Sequence, residues 1–69
     1  MFTKGTRVQV VDEAVAHEFR ARVYNGQVGT VVYVGRNPAV RMDGDPDPAP
    51  WHIPEAALRR IHTKKVKVD

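Results

Sequence analysis

Few residues of this chain have the types and spacing that chemistry requires. Asp43, Asp45 and Asp47 stand at alternate positions, which is how a calcium loop begins, with hard oxygen ligands at its positions 1, 3 and 5. The rest of that pattern fails. Position 6, where such a loop needs glycine for a sharp turn, is Pro48; position 12 is Pro54, and Glu55 falls one place late. A solvated loop is expected there. His17, His52 and His62 share no metal-ligand spacing, and although Glu18 follows His17, no second histidine completes an HExxH pair. They read as surface or rim histidines. The chain has no serine and no cysteine, so the hydroxyls Thr3, Thr6, Thr30 and Thr63 are all it offers a hydrolytic triad. We therefore expect no catalytic residue, no cofactor and no metal: the chain reads as not an enzyme.

Binding chemistry is better represented. Trp51 and Tyr24, with Tyr33 or Phe19, can share a surface with Arg20, Arg22, Arg41 and His52. Aromatic rings beside guanidinium groups stack nucleic-acid bases or pack against the apolar and proline-rich segments of a protein partner. Trp51 equally suits a plug in the mouth of a small fold, and Tyr24 a cover for its edge. Charge is unevenly spread. The chain carries +3 from 11 basic and 8 acidic groups, yet residues 1–58 hold six basic groups against seven acidic ones. Its basicity comes from the C-terminal end, where Arg59, Arg60, Lys64, Lys65 and Lys67 face Asp69 alone. Such a tail attracts phosphates or acidic surfaces without reading sequence, or serves only to keep a small protein soluble.

These side chains need a scaffold, and 69 residues with 42% apolar content allow one small domain. A domain of this size withdraws only about 60% of its chain surface from water, which leaves little room for a deep cleft. The absence of cysteine fits a cytoplasmic protein. The longest apolar run, Val31 to Val34, is too short for a bilayer, so no membrane partner is expected.

Thr6 to Val11 alternates as a half-buried strand. Asp12 to Asn25 carries Val15, Phe19 and Val23 at four-residue spacing, a helical stripe with Asp12 as N-cap and Asn25-Gly26 as stop. A long loop over one end of the fold is the competing reading. Gln27 to Val34 is the central strand, with Val28, Thr30, Val32 and Val34 on one face and Val31 and Tyr33 on the other. Ala39 to Met42 forms a third strand and Asp43 to Pro50 an exposed loop, since its three prolines lack ladder donors. Trp51 to Ile53 is a brief fourth strand, Pro54 starts a helical turn through Leu58, and Arg59 to His62 returns as the fifth. The fold class is thus mainly β: a small five-stranded barrel over residues 1–62, with a basic, disordered tail over 63–69. Val8, Val10, Val28, Val32, Val40, Met42, Ile53, Leu58 and Ile61 would fill it.

The segments Lys4-Gly5-Thr6-Arg7-Val8-Gln9-Val10, Gly26-Gln27-Val28-Gly29-Thr30-Val31-Val32, Val40-Arg41-Met42-Asp43 and Ile53 to Ile61 together resemble an SH3-like barrel. Within it, Tyr24 to Val31 is similar to the KOW-type strand and turn of ribosomal proteins and transcription elongation factors, which bind RNA or polymerase. That resemblance gives Gly26 a positive φ and Gly29 a close approach by backbone or ligand. The segment Pro54-Glu55-Ala56-Ala57-Leu58-Arg59-Arg60-Ile61 is similar to the closing segment of plasmid-borne type II dihydrofolate reductases, tetramers around a shared pore. Where those enzymes place Val-Gln-Ile-Tyr, this chain has Pro50-Trp51-His52-Ile53, so the pore residues do not carry over. The expectation is a non-enzymatic module that associates with nucleic acid, RNA or DNA, or with a nucleic-acid-bound complex. A protein-interaction or assembly module is the alternative, and self-association is open to either.

Overall fold

The computed structural model describes residues 2–46 and 49–61. Expectations resting on Asp47, Pro48, His62, Lys64, Lys65, Lys67 and the tail as a whole lie outside the described residues. Val8 and Val10 are both buried in strand β1 (Arg7–Val10), with Arg7 and Gln9 half-buried on its opposite face. The period-2 pattern thus positions β1 as its sequence requires.

Helix α1 (Glu13–Glu18) begins where Asp12 predicts, since the Asp12 carboxylate accepts the Val15 N–H at 3.3 Å. It ends after six residues instead of reaching Asn25. Arg20 takes a left-handed φ of 64°. Its N–H donates to the His17 carbonyl at 2.9 Å, and the Ala21 N–H donates to the Ala16 carbonyl at 3.1 Å. This pair of bonds is the Schellman stop, a position where glycine is usual. The four-residue stripe therefore breaks: Val23 is buried, but Phe19 is left 46% exposed. Residues 19–27 run irregularly, so the helix and loop readings each hold for half of the segment. A turn at Gly26, φ 94°, returns the chain to the sheet, where the Gly26 N–H donates to the Val10 carbonyl at 2.8 Å.

Strand β2 (Val28–Tyr33) is central, but its faces are exchanged relative to expectation. Gly29 and Val31 point inward, while Val28, Thr30 and Val32 are half-buried on the outer side. Cross-strand partners share a face, and Gly29 lies opposite Val8 and Met42 while Val31 lies opposite Val40, all buried. Glycine is what the inward site demands: a Cβ there would stand 2.6 Å from the Arg41 carbonyl oxygen and 2.8 Å from Val40 Cγ1. A shift of register between Val31 and Tyr33 then releases the strand end, leaving Tyr33 and Val34 exposed.

Strands β3 (Ala39–Met42), β4 (Trp51–His52) and β5 (Leu58–Arg60) complete one antiparallel sheet in the order β4-β3-β2-β1-β5. Pro54 precedes a 3-10 turn, Glu55–Ala57, that leads into β5. The fold is mainly β and compatible with a small barrel. Ala16, Ala21, Val23, Val31 and Ala57 join the expected Val8, Val10, Val40, Met42, Ile53 and Leu58 in the core. Val28, Val32 and Ile61, expected inside, are only half-buried, the first two because of the exchanged faces. Among the described residues no helix is long and apolar enough to cross a membrane.

Candidate functional site

The early helix stop exposes an open groove of about 610 Å³, lined by His17, Arg20, Ala21, Arg22 and Tyr24. Its walls are held by short-range bonds. In the last turn of α1, His17 Nε2 donates to the Val23 carbonyl at 2.9 Å, which fixes Nε2 as the protonated nitrogen. The imidazole also meets the Tyr24 ring edge-on, with centroids 5.3 Å apart and planes at 76°. At the other end of the helix, the Glu13 N–H donates to Asn25 Oδ1 at 2.8 Å and the Asn25 N–H donates to Glu13 Oε1 at 3.0 Å. This reciprocal pair locks the turn that carries Tyr24 onto the start of α1. Arg20 and Arg22 are exposed, and neither side chain has a hydrogen bond or ion pair among the described residues.

A second groove, of about 290 Å³, shares Arg22 with the first and is floored by Met42 and Trp51. Trp51 is partly buried, packing against the core while lining this groove, and its indole N–H donates to Asp45 Oδ2 at 3.1 Å. Trp51 thus packs on the core and keeps part of its surface in the groove. Gln27 joins the two grooves: it lines the second, and its Oε1 accepts the Tyr24 N–H at 2.9 Å. Asp43 and Asp45 also line it, but neither is arranged for a cation. Asp43 is clamped by Arg7 through Nη1 to Oδ1 at 2.8 Å and Nη2 to Oδ2 at 2.6 Å, with Nη1 also donating to Thr30 Oγ1. The hydrogen bond from Arg7, reinforced by its charge, holds the Asp43 carboxyl below the usual carboxylate range despite opposing desolvation.

The remaining candidates lie elsewhere. Arg41 lines a third groove, of about 400 Å³, with Lys4, Val32, Tyr33 and Pro50, and shares no lining residue with the other two. His52 is exposed on β4, its Nδ1 3.4 Å from the Asn37 carbonyl. Arg59 sits across from Gln9 on β5 and donates to its Oε1 at 3.3 Å; Arg60 pairs with Val8 in register and is exposed. The structure therefore brings Tyr24, Arg20 and Arg22 to one groove, places Trp51 in a second that shares Arg22, and leaves Arg41, His52, Arg59 and Arg60 apart. His17, read from sequence as a rim histidine, and Gln27, within the KOW-like segment, are members that sequence reasoning did not assign to the site. Their signal was weak: His17 stands six residues from the carbonyl it holds, a spacing that only the Schellman reversal brings within reach.

Among the described residues no charged or polar side chain is buried, and no group of three or more His, Cys, Asp or Glu is placed to hold a metal. Comparison with protein-family models, with curated proteins and with solved structures finds no match to this chain.

Proposed function

We propose that this chain is a non-catalytic nucleic-acid-binding module on an SH3-like small barrel. The strand order β4-β3-β2-β1-β5 and the 3-10 turn before β5 support that barrel. The positive φ of Gly26 supports the KOW-like reading of residues 24–31, whereas Gly29 is explained by the backbone of β3 and needs no ligand. One observation carries the functional reading: two exposed guanidinium groups with no acidic partner among the described residues stand beside an exposed tyrosine in one groove. Guanidinium groups pair with phosphate oxygens and stack on bases, and tyrosine stacks on any base. Arg20 adds weight. A left-handed non-glycine residue costs about 1 kcal/mol, and here that strain sets a charged side chain on the groove wall.

The test exploits this conflict. Arg20→Gly relieves the strain but frees the unfolded chain by roughly 0.4–1 kcal/mol, so the melting temperature should stay within about 4 °C of the parent, yet binding to a labelled oligonucleotide should weaken roughly tenfold through one lost charge-assisted contact. The titration is read by fluorescence anisotropy at about 50 mM and about 200 mM salt. Failure of the full chain to bind RNA or DNA at the lower salt refutes the proposal.

A protein partner is favoured by a different observation. Tyr33, 66% exposed, and Val34, 52% exposed, stand at the free end of β2 next to the third groove. That end is the place to look if the first groove is idle.

A further inference from the structure

We infer that the ligand is single-stranded and crosses both joined grooves, its phosphates held by Arg20 and Arg22 and a base laid on Trp51. This rests on the nucleic-acid reading above and assigns the form of the ligand and its direction across the site. The first groove has two cations, Arg20 and Arg22, and no acidic lining among the described residues. The second keeps Arg22 at its border but has the carboxylates of Asp43 and Asp45 on its wall. Phosphates are thereby drawn to the first groove more than to the second, where Arg7 already offsets the charge of Asp43, whereas an uncharged base meets no such difference. The Trp51 ring is already oriented for that base, since its N–H is tied to Asp45 and part of its surface packs on the core. A pre-set aromatic ring stacks a base at little entropic cost. A duplex presents phosphates but keeps its base faces stacked inside, so it can engage only the first groove.

Trp51 is the one tryptophan in the chain, so intrinsic emission reports this groove without any substitution. The full chain is titrated with an end-labelled oligothymidylate of about a dozen nucleotides, with a duplex carrying the same run, and with polyglutamate. Label anisotropy measures strand binding and tryptophan emission measures occupancy of the second groove. The expected result is quenching by the single strand in step with anisotropy and protection of Trp51 from acrylamide, with neither effect from the duplex or polyglutamate. Arg22→Gln should weaken the single strand roughly tenfold in both signals, as expected for one charge-assisted contact. Binding seen in anisotropy with unchanged emission, or equal quenching by the duplex, overturns this inference and leaves the nucleic-acid reading standing. Equal quenching by polyglutamate overturns it in favour of an acidic protein partner. No binding of either nucleic acid overturns both.

Discussion

Gly29→Ala tests the exchanged faces of β2. The added Cβ would stand 2.6 Å from the Arg41 carbonyl oxygen, 2.8 Å from Val40 Cγ1 and 2.9 Å from Met42 Sδ. Two of those atoms belong to side chains that can give way, but the carbonyl is part of a ladder and cannot swing aside without moving β3. Overpacking of this kind costs about 1–3 kcal/mol, and a backbone obstacle favours the upper end. Alanine recovers roughly 0.4–1 kcal/mol by restricting the unfolded chain. The net loss is about 2 kcal/mol, a large share of the roughly 3–10 kcal/mol that a domain of this length holds. At roughly 4–8 °C per kcal/mol, the melting temperature should fall by about 8–16 °C. Thermal denaturation followed by circular dichroism measures it, with Gly35→Ala as control. A Cβ at Gly35 meets nothing within 4 Å and its φ is not positive, so that variant should match the parent or exceed it by up to about 1 kcal/mol. If Gly29→Ala melts with the control, Gly29 does not face the core and the argument from cross-strand partners is wrong.

Other consequences can be measured on the same material. Asp43→Asn should cost under about 1 kcal/mol at neutral pH, because the Arg7 pair is largely open to water. Since Arg7 lowers the Asp43 carboxyl, the pair stabilises the fold above the usual carboxylate range, and that contribution is lost as pH falls through the depressed value. Acid melting curves should therefore be steeper for the parent than for Asp43→Asn, and parallel curves would contradict the ion pair. Asp12→Ala removes the cap of α1 and should cost about 1 kcal/mol; an unchanged urea midpoint would contradict the cap. Deleting residues 63–69 removes Lys64, Lys65 and Lys67, so the salt slope for a single strand should fall by about 2 while quenching of Trp51 persists. Loss of that quenching would place the site on the tail.

Much of the fold was legible because it rests on strong local rules. Val8 and Val10 alternate, Asp12 caps, Pro46 and Pro50 lie outside any strand and Pro54 opens a turn; each of these elements falls within a few residues of its predicted place. What escaped detection depended on tertiary pairing. In β2 the valines crowd both faces, so period alone cannot choose between them. Buried partners on β1 and β3 choose instead, and they select the face that holds glycine. The early stop of α1 was hidden because Arg20 occupies a position where glycine would have announced it. That same residue hid the groove, since a helix continuing to Asn25 would have put Arg22 on the face opposite Arg20 and Tyr24. Arg41 was grouped by residue type with Trp51, Tyr24 and Tyr33, but of these it shares a groove only with Tyr33.

The most direct measurement of the central claim is a ¹⁵N-resolved NMR titration of the full chain with the single-stranded oligonucleotide. The account predicts that the largest shifts fall on the backbone amides of residues 17–24 and on the Trp51 indole N–H, with little change at Lys4, Tyr33 and Arg41. Shifts confined to residues 62–69, or centred on the third groove, would contradict it.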